Sequence, residues 1–201
     1  IVRRHHHARS VPRQGDLMPT QRAMERARPL KLMAFDVDGI LTDGTLYFTA
    51  QGDEMKGFNA LDGHGLKMLA DAGITLAIIT GRRSRAVELR AQNLGIDLLL
   101  QGIEDKRGAM QTLLAQKNMH FAEAGYMGDD VVDLPLLRAC GFSASVPGGH
   151  ALVRQHVDYV TSAAAGHGAV REVCEFVLSA QNKLETALAP YLEPLQAPAT
   201  R

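Results

Sequence analysis

The chain has 201 residues, enough for one domain with a sizeable core, and its 46% hydrophobic content is that of an ordinary soluble globule. No apolar run approaches the roughly 18 residues of a membrane span, so no part is expected to sit in a bilayer. Lys plus Arg and Asp plus Glu both total 22, but residues 1–30 hold seven arginines against Asp16 and Glu25, an excess of +5 that leaves the body at −5.

That basic stretch, taken as an arm over residues 1–29, lacks apolar periodicity and the h-region of a secretory signal, and is read as disordered or as a tag remnant. His5, His6 and His7 have two readings, a metal-binding tract or a solvated tag. The arm holds no Phe, Tyr or Trp to stack on bases, which weighs against nucleic acid as a partner. Cys140 and Cys174 form no CxxC or zinc-type spacing and read as buried thiols in a reducing cytoplasm.

From Leu30 the elements alternate. "LKLMAFDV" is a continuous apolar run, as in a strand covered on both faces of a parallel sheet. After it, Leu46 and Phe48 alternate with Thr45, Tyr47 and Thr49, and extended character resumes in "DEMKGFN", so a β-hairpin flap is predicted over about 44–59 with its turn at residues 50–53. Leu46, Phe48, Met55 and Phe58 would leave apolar surface on that ribbon, which favours burial against another subunit. "LDGHGLKMLADAG" predicts a helix stopped by Gly73, "ITLAIIT" a strand, and "SRAVELRAQNLG" a helix capped by Ser84 and Gly95. "IDLLLQG" predicts a strand, residues 105–118 a helix, "AGYMG" a strand, and residues 131–140 a helix. "GFSASV", "HALVRQH" and "DYVT" predict strand, helix and strand, before one long helix over residues 169–184; residues 191–201 read as a flexible tail. Such repetition implies an α/β fold, a doubly wound parallel sheet whose active site lies beyond the carboxyl ends of its strands.

Those strand ends carry the chemistry. Asp36 and Asp38, two apart in extended chain, would project to one side, and their oxygens suit a hard cation such as Mg2+, with Gly39 allowing close backbone approach. The next strand ends in the Thr80 hydroxyl and the Gly81 amide, followed by Arg82; the third is followed by Lys106 near a helix start; the fourth brings Asp129, Asp130 and Asp133. Each alone has a structural reading, as a helix cap or a solvated helix residue. Their order at successive strand ends makes a shared site the better reading.

The set resembles the haloacid dehalogenase superfamily from Lys31 to about Leu184. The stretches "FDVDGILTDGTLYF", "GDEMKGFNALDGHGLKML", "AIITGRRS", "LGIDLLLQG", "YMGDDVVDLPLL" and "GHGAVREVCEFVLSAQ" are similar to the 3-deoxy-D-manno-octulosonate 8-phosphate phosphatase family of lipopolysaccharide synthesis. The resemblance implies a capless HAD-like Rossmannoid domain over residues 30–190, Mg2+, a small-molecule sugar phosphate substrate, and a cytoplasmic homotetramer joined through the flap hairpins. It further implies Asp36 as nucleophile, Asp38 as general acid and base, and a metal held by Asp36, the Asp38 carbonyl and Asp129. Thr80 and Gly81 would bind phosphoryl oxygens, Lys106 would stabilise the transition state, and Asp130 and Asp133 would orient the metal's water shell and Lys106. Gly39, Asn59, Asp62, His64, Arg82, His167 and Arg171 are the candidate phosphate and substrate contacts; His64 and Arg171 read equally well as helix-surface residues.

Two departures bear on substrate. Leu61 stands where several relatives carry Arg, and His167 where they often carry Arg or Lys. Phosphatases of sialic-acid-type 9-phosphates therefore remain an alternative, as does a non-catalytic assembly subunit. A sugar mutase would need a cap to exclude water, and no insertion is long enough.

Overall fold

The structure, a computed structural model, describes residues 19–192. The His5–His7 tract and residues 193–201 of the expected tail lie outside the described residues. In chain order the elements are α1 (Pro19–Ala27), β1 (Leu32–Phe35), β2 (Tyr47–Phe48), β3 (Glu54–Met55), α2 (Ala60–Asp71), β4 (Thr75–Thr80), α3 (Arg85–Leu94), β5 (Leu98–Gln101) and α4 (Lys106–Gln116). There follow β6 (Ala124–Met127), α5 (Leu134–Leu137), β7 (Phe142–Ser145), α6 (Ala151–His156), β8 (Tyr159–Val160), α7 (Ala169–Ala180) and α8 (Leu184–Leu192).

All four side chains of β1 are fully buried, as a strand covered on both faces requires. It pairs in parallel with β4 on one side and β6 on the other, placing Phe35 level with Ile78 and Met127. The six-stranded sheet runs β5-β4-β1-β6-β7-β8, so the chain winds outward from β1 through β4 and β5, then returns to the other side of β1 to continue. This reversal makes a crevice at the carboxyl ends of β1, β4 and β6, where ligands bind in doubly wound sheets.

The pleat sorts the core. Met33, Phe35 and Ile78 pack with residues of α1, α2, α3 and α7 on one face, while Leu32, Ala34, Ile79 and Tyr126 pack with α4, α5 and α6 on the other. Asp36 continues the ladder, its N–H donating to the Met127 carbonyl at 3.0 Å. Two residues on from Ala34, it points to the α4 and α5 face. No described helix is long and apolar enough to cross a membrane.

Four local expectations are revised. Residues 19–27 of the expected arm are helical: Ala23 and Ala27, one turn apart, are buried, and the Arg26 guanidinium donates to the Gly141 carbonyl at 2.6 Å. An alanine seam carries too little apolar bulk to show as periodicity. The helix predicted over 169–184 is two, because Asn182 (φ 55°) takes the left-handed conformation and the N–H groups of Asn182 and Lys183 close on the carbonyls of Ser179 and Leu178, a Schellman ending. Residues 131–140 form a 3-10 turn, Val131–Asp133, and then the short α5 rather than one helix. Ser84 occupies the N-cap of α3, but its hydroxyl makes no capping bond.

The flap is the small antiparallel pair of β2 and β3, with Tyr47 opposite Met55. Leu46, Tyr47, Phe48 and Met55 are exposed, Phe48 by 59%. Phe58 corrects the expectation: it packs on the core beneath the Arg90 guanidinium, 5.7 Å from its ring centre.

Candidate active site

A cleft of about 540 Å³ opens at the sheet reversal, lined by Asp36, Asp38, Gly39, Thr80, Gly81, Arg82, Lys106, Asp129 and Asp130. A cleft of about 450 Å³ between α4 and the residues that follow it gathers no comparable set of charges, being lined by Gln111, Leu114, Asn118, His120 and their neighbours. Groups from four strand ends therefore converge as their order suggested.

The floor is a buried polar network. Lys106 opens α4, where Asp105 caps the helix by accepting from the Gly108 N–H at 2.9 Å. Its ammonium lies 2.7 Å from Asp36 Oδ2, 2.7 Å from Asp133 Oδ1 and 3.2 Å from the Tyr126 hydroxyl oxygen. Tyr126 donates its hydroxyl to Asp133 Oδ1 at 2.8 Å, and Asp133 Oδ2 accepts from the N–H groups of Asp129 and Asp130 at 3.1 and 3.2 Å. Asp133 is thus fully buried and fully hydrogen-bonded, the condition under which a charged network is stable in a core. It orients Lys106 and the loop bearing Asp129 at once.

Burial sets the electrostatics. It lifts Asp36 to about 6, with the Lys106 ammonium opposing and Asp133 reinforcing the rise. Asp129 goes to about 7 through burial and the carboxylates of Asp36, Asp133 and Asp130. Burial also pushes Lys106 down, but Asp36 and Asp133 outweigh it and the ammonium titrates above its ordinary value. The phenol of Tyr126 is raised well above the usual range by burial, then by Asp36 and Asp133, so it stays a hydrogen-bond donor.

Oxygens of Asp36, Asp129 and Asp133 lie within 4.8 Å of one another, an all-oxygen donor set that suits a hard divalent cation. Asp133 is occupied by the network, which leaves Asp36 and Asp129 as the open ligands. Gly39 (φ 80°) lets the loop lie against them: a Cβ there would collide with the Asp129 carboxylate.

Asp38 departs from the simple picture of a paired carboxylate. The chain turns at Val37, the extended geometry ends, and the Asp38 carboxylate meets Lys56 of the flap and Arg82, whose Nε is 3.6 Å from Oδ2. The Thr80 hydroxyl is buried and accepts from the Arg82 N–H at 3.4 Å, one consequence of the tight turn after β4.

Five proposed contacts lie outside the cleft of their own chain. Asn59 caps α2, accepting from the N–H groups of Leu61 and Asp62 at 2.8 and 3.3 Å. Asp62 is buried beside α7 and accepts from the N–H groups of Arg171 and Gly168 at 2.8 and 3.3 Å; capping roles of this kind are invisible in sequence because the partner helix is about a hundred residues away. His64 packs edge-on against Tyr191 with ring centres 5.3 Å apart, His167 is exposed with Nδ1 2.9 Å from the Ala165 carbonyl, and Arg171 pairs with Glu175 at 2.6 Å.

Three residues of the site went unassigned in the sequence: Tyr126, Lys56 and Glu54. Tyr126 had a signal, a hydroxyl inside a strand otherwise made for burial; Lys56 had none, since a lysine in a predicted surface ribbon reads as solvated.

No protein-family model matches the chain. It is 44% identical over 164 residues to the 3-deoxy-D-manno-octulosonate 8-phosphate phosphatase of Yersinia pestis, covering 82% of this chain and 88% of that protein. To the enzyme of the same description from Escherichia coli K12 it is 42% identical over 162 residues, 81% of this chain and 86% of that one. The solved structure of the Moraxella catarrhalis 3-deoxy-D-manno-octulosonate 8-phosphate phosphatase, in complex with magnesium, phosphate and KDO, superposes with a TM-score of 0.83 at 44% identity, covering 84% of this chain and 97% of that one. Relatives this similar over more than four-fifths of the chain leave one assignment: the chain belongs to the 3-deoxy-D-manno-octulosonate 8-phosphate phosphatase family of the haloacid dehalogenase superfamily.

Proposed function

We propose that the protein is a Mg2+-dependent phosphatase that hydrolyses 3-deoxy-D-manno-octulosonate 8-phosphate to the free sugar acid and phosphate, in the cytoplasmic synthesis of lipopolysaccharide precursors. The observation that carries the reading is the buried Asp36–Lys106–Asp133 chain beside Asp129 at the foot of the cleft. Asp36 attacks phosphorus through a carboxylate oxygen and the bond to the sugar oxygen breaks, forming an aspartyl-phosphate. Asp38 gives its proton to the departing sugar oxygen, then takes one from the water that attacks the intermediate, which releases phosphate and restores Asp36. Lys106 faces the charge that develops, and the Thr80 hydroxyl with the Gly81 N–H receives phosphoryl oxygens. Asp36, the Asp38 main-chain carbonyl and Asp129 would hold the ion, with Asp130 close by; when bound, Mg2+ supplies positive charge between two groups that otherwise repel.

With every one of these groups present, a silent assembly subunit has no feature in its favour. The exposed apolar edge of the flap, Leu46, Tyr47, Phe48 and Met55, supports assembly into a homotetramer through the hairpins. In that assembly His64, His167 and Arg171, which do not line the cleft of their own chain, are the candidate contacts to a neighbour's. Leu61, 63% exposed at the head of α2, keeps a nine-carbon 9-phosphate as the competing substrate.

The test is a phosphate-release screen with Mg2+ across sugar-acid phosphates. The eight-carbon 8-phosphate is expected to give the highest kcat/KM; preference for a sialic-acid-type 9-phosphate would transfer the assignment, and no release from either would end it.

A further inference from the structure

Lys56 follows β3 in the flap, yet its side chain is only 1% exposed while its neighbour Met55 is 58% exposed. A buried ammonium must be paired, and this one is paired twice, with Asp38 Oδ1 and, at 3.0 Å, with Glu54 Oε1. Glu54 and Lys56 are two apart in extended chain and share a face. Arg82 closes the figure, with Nη2 3.2 Å from Glu54 Oε1 and Nε 3.6 Å from Asp38 Oδ2. Asp38, Lys56, Glu54 and Arg82 therefore form a ring of alternating charge that joins the loop after β1, the flap and the loop after β4. Both oxygens of Asp38 face a cation of this ring, and the Lys56 bond reaches it from the flap alone.

We propose that Lys56 is the positioning residue for Asp38: it fixes the orientation of that carboxyl, with Glu54 holding Lys56 in turn, so that acid–base catalysis requires the flap to be seated. This rests on the reading of Asp38 as the group that moves the proton. Lys56 acts through Asp38 and not on the substrate, and that separates it from Arg82, which lines the cleft.

The experiment is a double-mutant cycle on the full chain with Mg2+ and 3-deoxy-D-manno-octulosonate 8-phosphate, using Lys56→Met, Asp38→Asn and the two combined. Asp38→Asn is expected to lose roughly 10²–10⁴-fold in kcat. Lys56→Met is expected to lose about 10- to 100-fold in kcat with KM within about threefold, because a misplaced group slows the step without weakening binding. The combined variant should be no slower than Asp38→Asn alone. Full multiplication of the two losses, a loss confined to KM, or wild-type turnover in Lys56→Met would each overturn the role of Lys56. Wild-type turnover in Asp38→Asn would instead overturn the acid–base reading on which it rests. Glu54→Gln breaks the ring from the other side and carries the same cycle if Lys56→Met does not fold: a smaller kcat loss that vanishes in the Asp38→Asn background supports the ring, and an undiminished loss there overturns it.

Discussion

Asp36 and Asp38, the two carboxylates that follow β1, are held by different means. Asp36 follows a central strand and meets Lys106, which is held in turn by Asp133 and Tyr126, all of them buried and anchored on α4, β6 and the turn after it. Asp38 sits on a turn with its side chain 22% exposed and meets Lys56 and Arg82, the latter with a side chain 44% exposed, both paired in turn with Glu54, on the flap and on loops. The floor is part of the hydrophobic core, whereas the flap-side ring stands on top of it. Damage to the floor should therefore cost stability and activity together, and damage to the ring should cost activity alone.

The largest effect tests the floor's chemistry. Asp36→Asn keeps the shape and removes the anion proposed to attack phosphorus, so kcat should fall by roughly four to six orders of magnitude with the fold intact, judged by phosphate release and circular dichroism. Near-normal turnover would rule out Asp36 as nucleophile. Asp133→Asn probes the floor's stability: breaking a buried pair by altering one partner costs about 3 kcal/mol, which at 2–4 °C per kcal/mol lowers the thermal midpoint by roughly 6–12 °C. A midpoint within about 1 °C of wild type would show that the network is not integral to the core.

Glu54→Gln in the ring is the matching probe, with an expected stability loss of no more than about 1 kcal/mol because the ring is partly solvated. Measured by denaturant unfolding, a loss as large as that of Asp133→Asn would erase the contrast between the two regions.

Titration sharpens it further. Asp36 and Asp129 are raised from 3.8 to about 6 and about 7, burial being the first cause in both. The folded chain then binds more protons than the unfolded chain between those values, so these groups' contribution to stability is lost as pH rises through them. A cation held between the carboxylates relieves that loss, and the gain in thermal midpoint on adding Mg2+ should be larger near pH 8 than near pH 5. Equal gains at the two values would place the ion elsewhere.

The smallest expected change in chemistry comes from the flap's outer edge. Phe48→Glu should reduce the mass of the proposed oligomer, as seen by light scattering, while leaving the floor untouched. An unchanged mass would remove the flap from the assembly.

Much of this was legible in the chain. The run of Leu32 to Phe35, the alternating apolar segments and the carboxylates, hydroxyl and lysine placed where strands end follow from local pattern, since a parallel sheet needs apolar strands and puts its polar residues at their carboxyl ends. Pattern alone therefore determined the doubly wound sheet and gathered Asp36, Thr80, Lys106 and Asp129. It could not distinguish Asp62 as a cap from Asp62 as a ligand, because the amide groups that Asp62 satisfies belong to α7 and its N-cap. Nor could it show that α1 packs through two alanines, or that Lys56 is buried. Those are properties of what lies opposite a residue, and only the tertiary structure decides them: burial and pairing, not residue type, separate a solvated lysine from one that must hold Asp38.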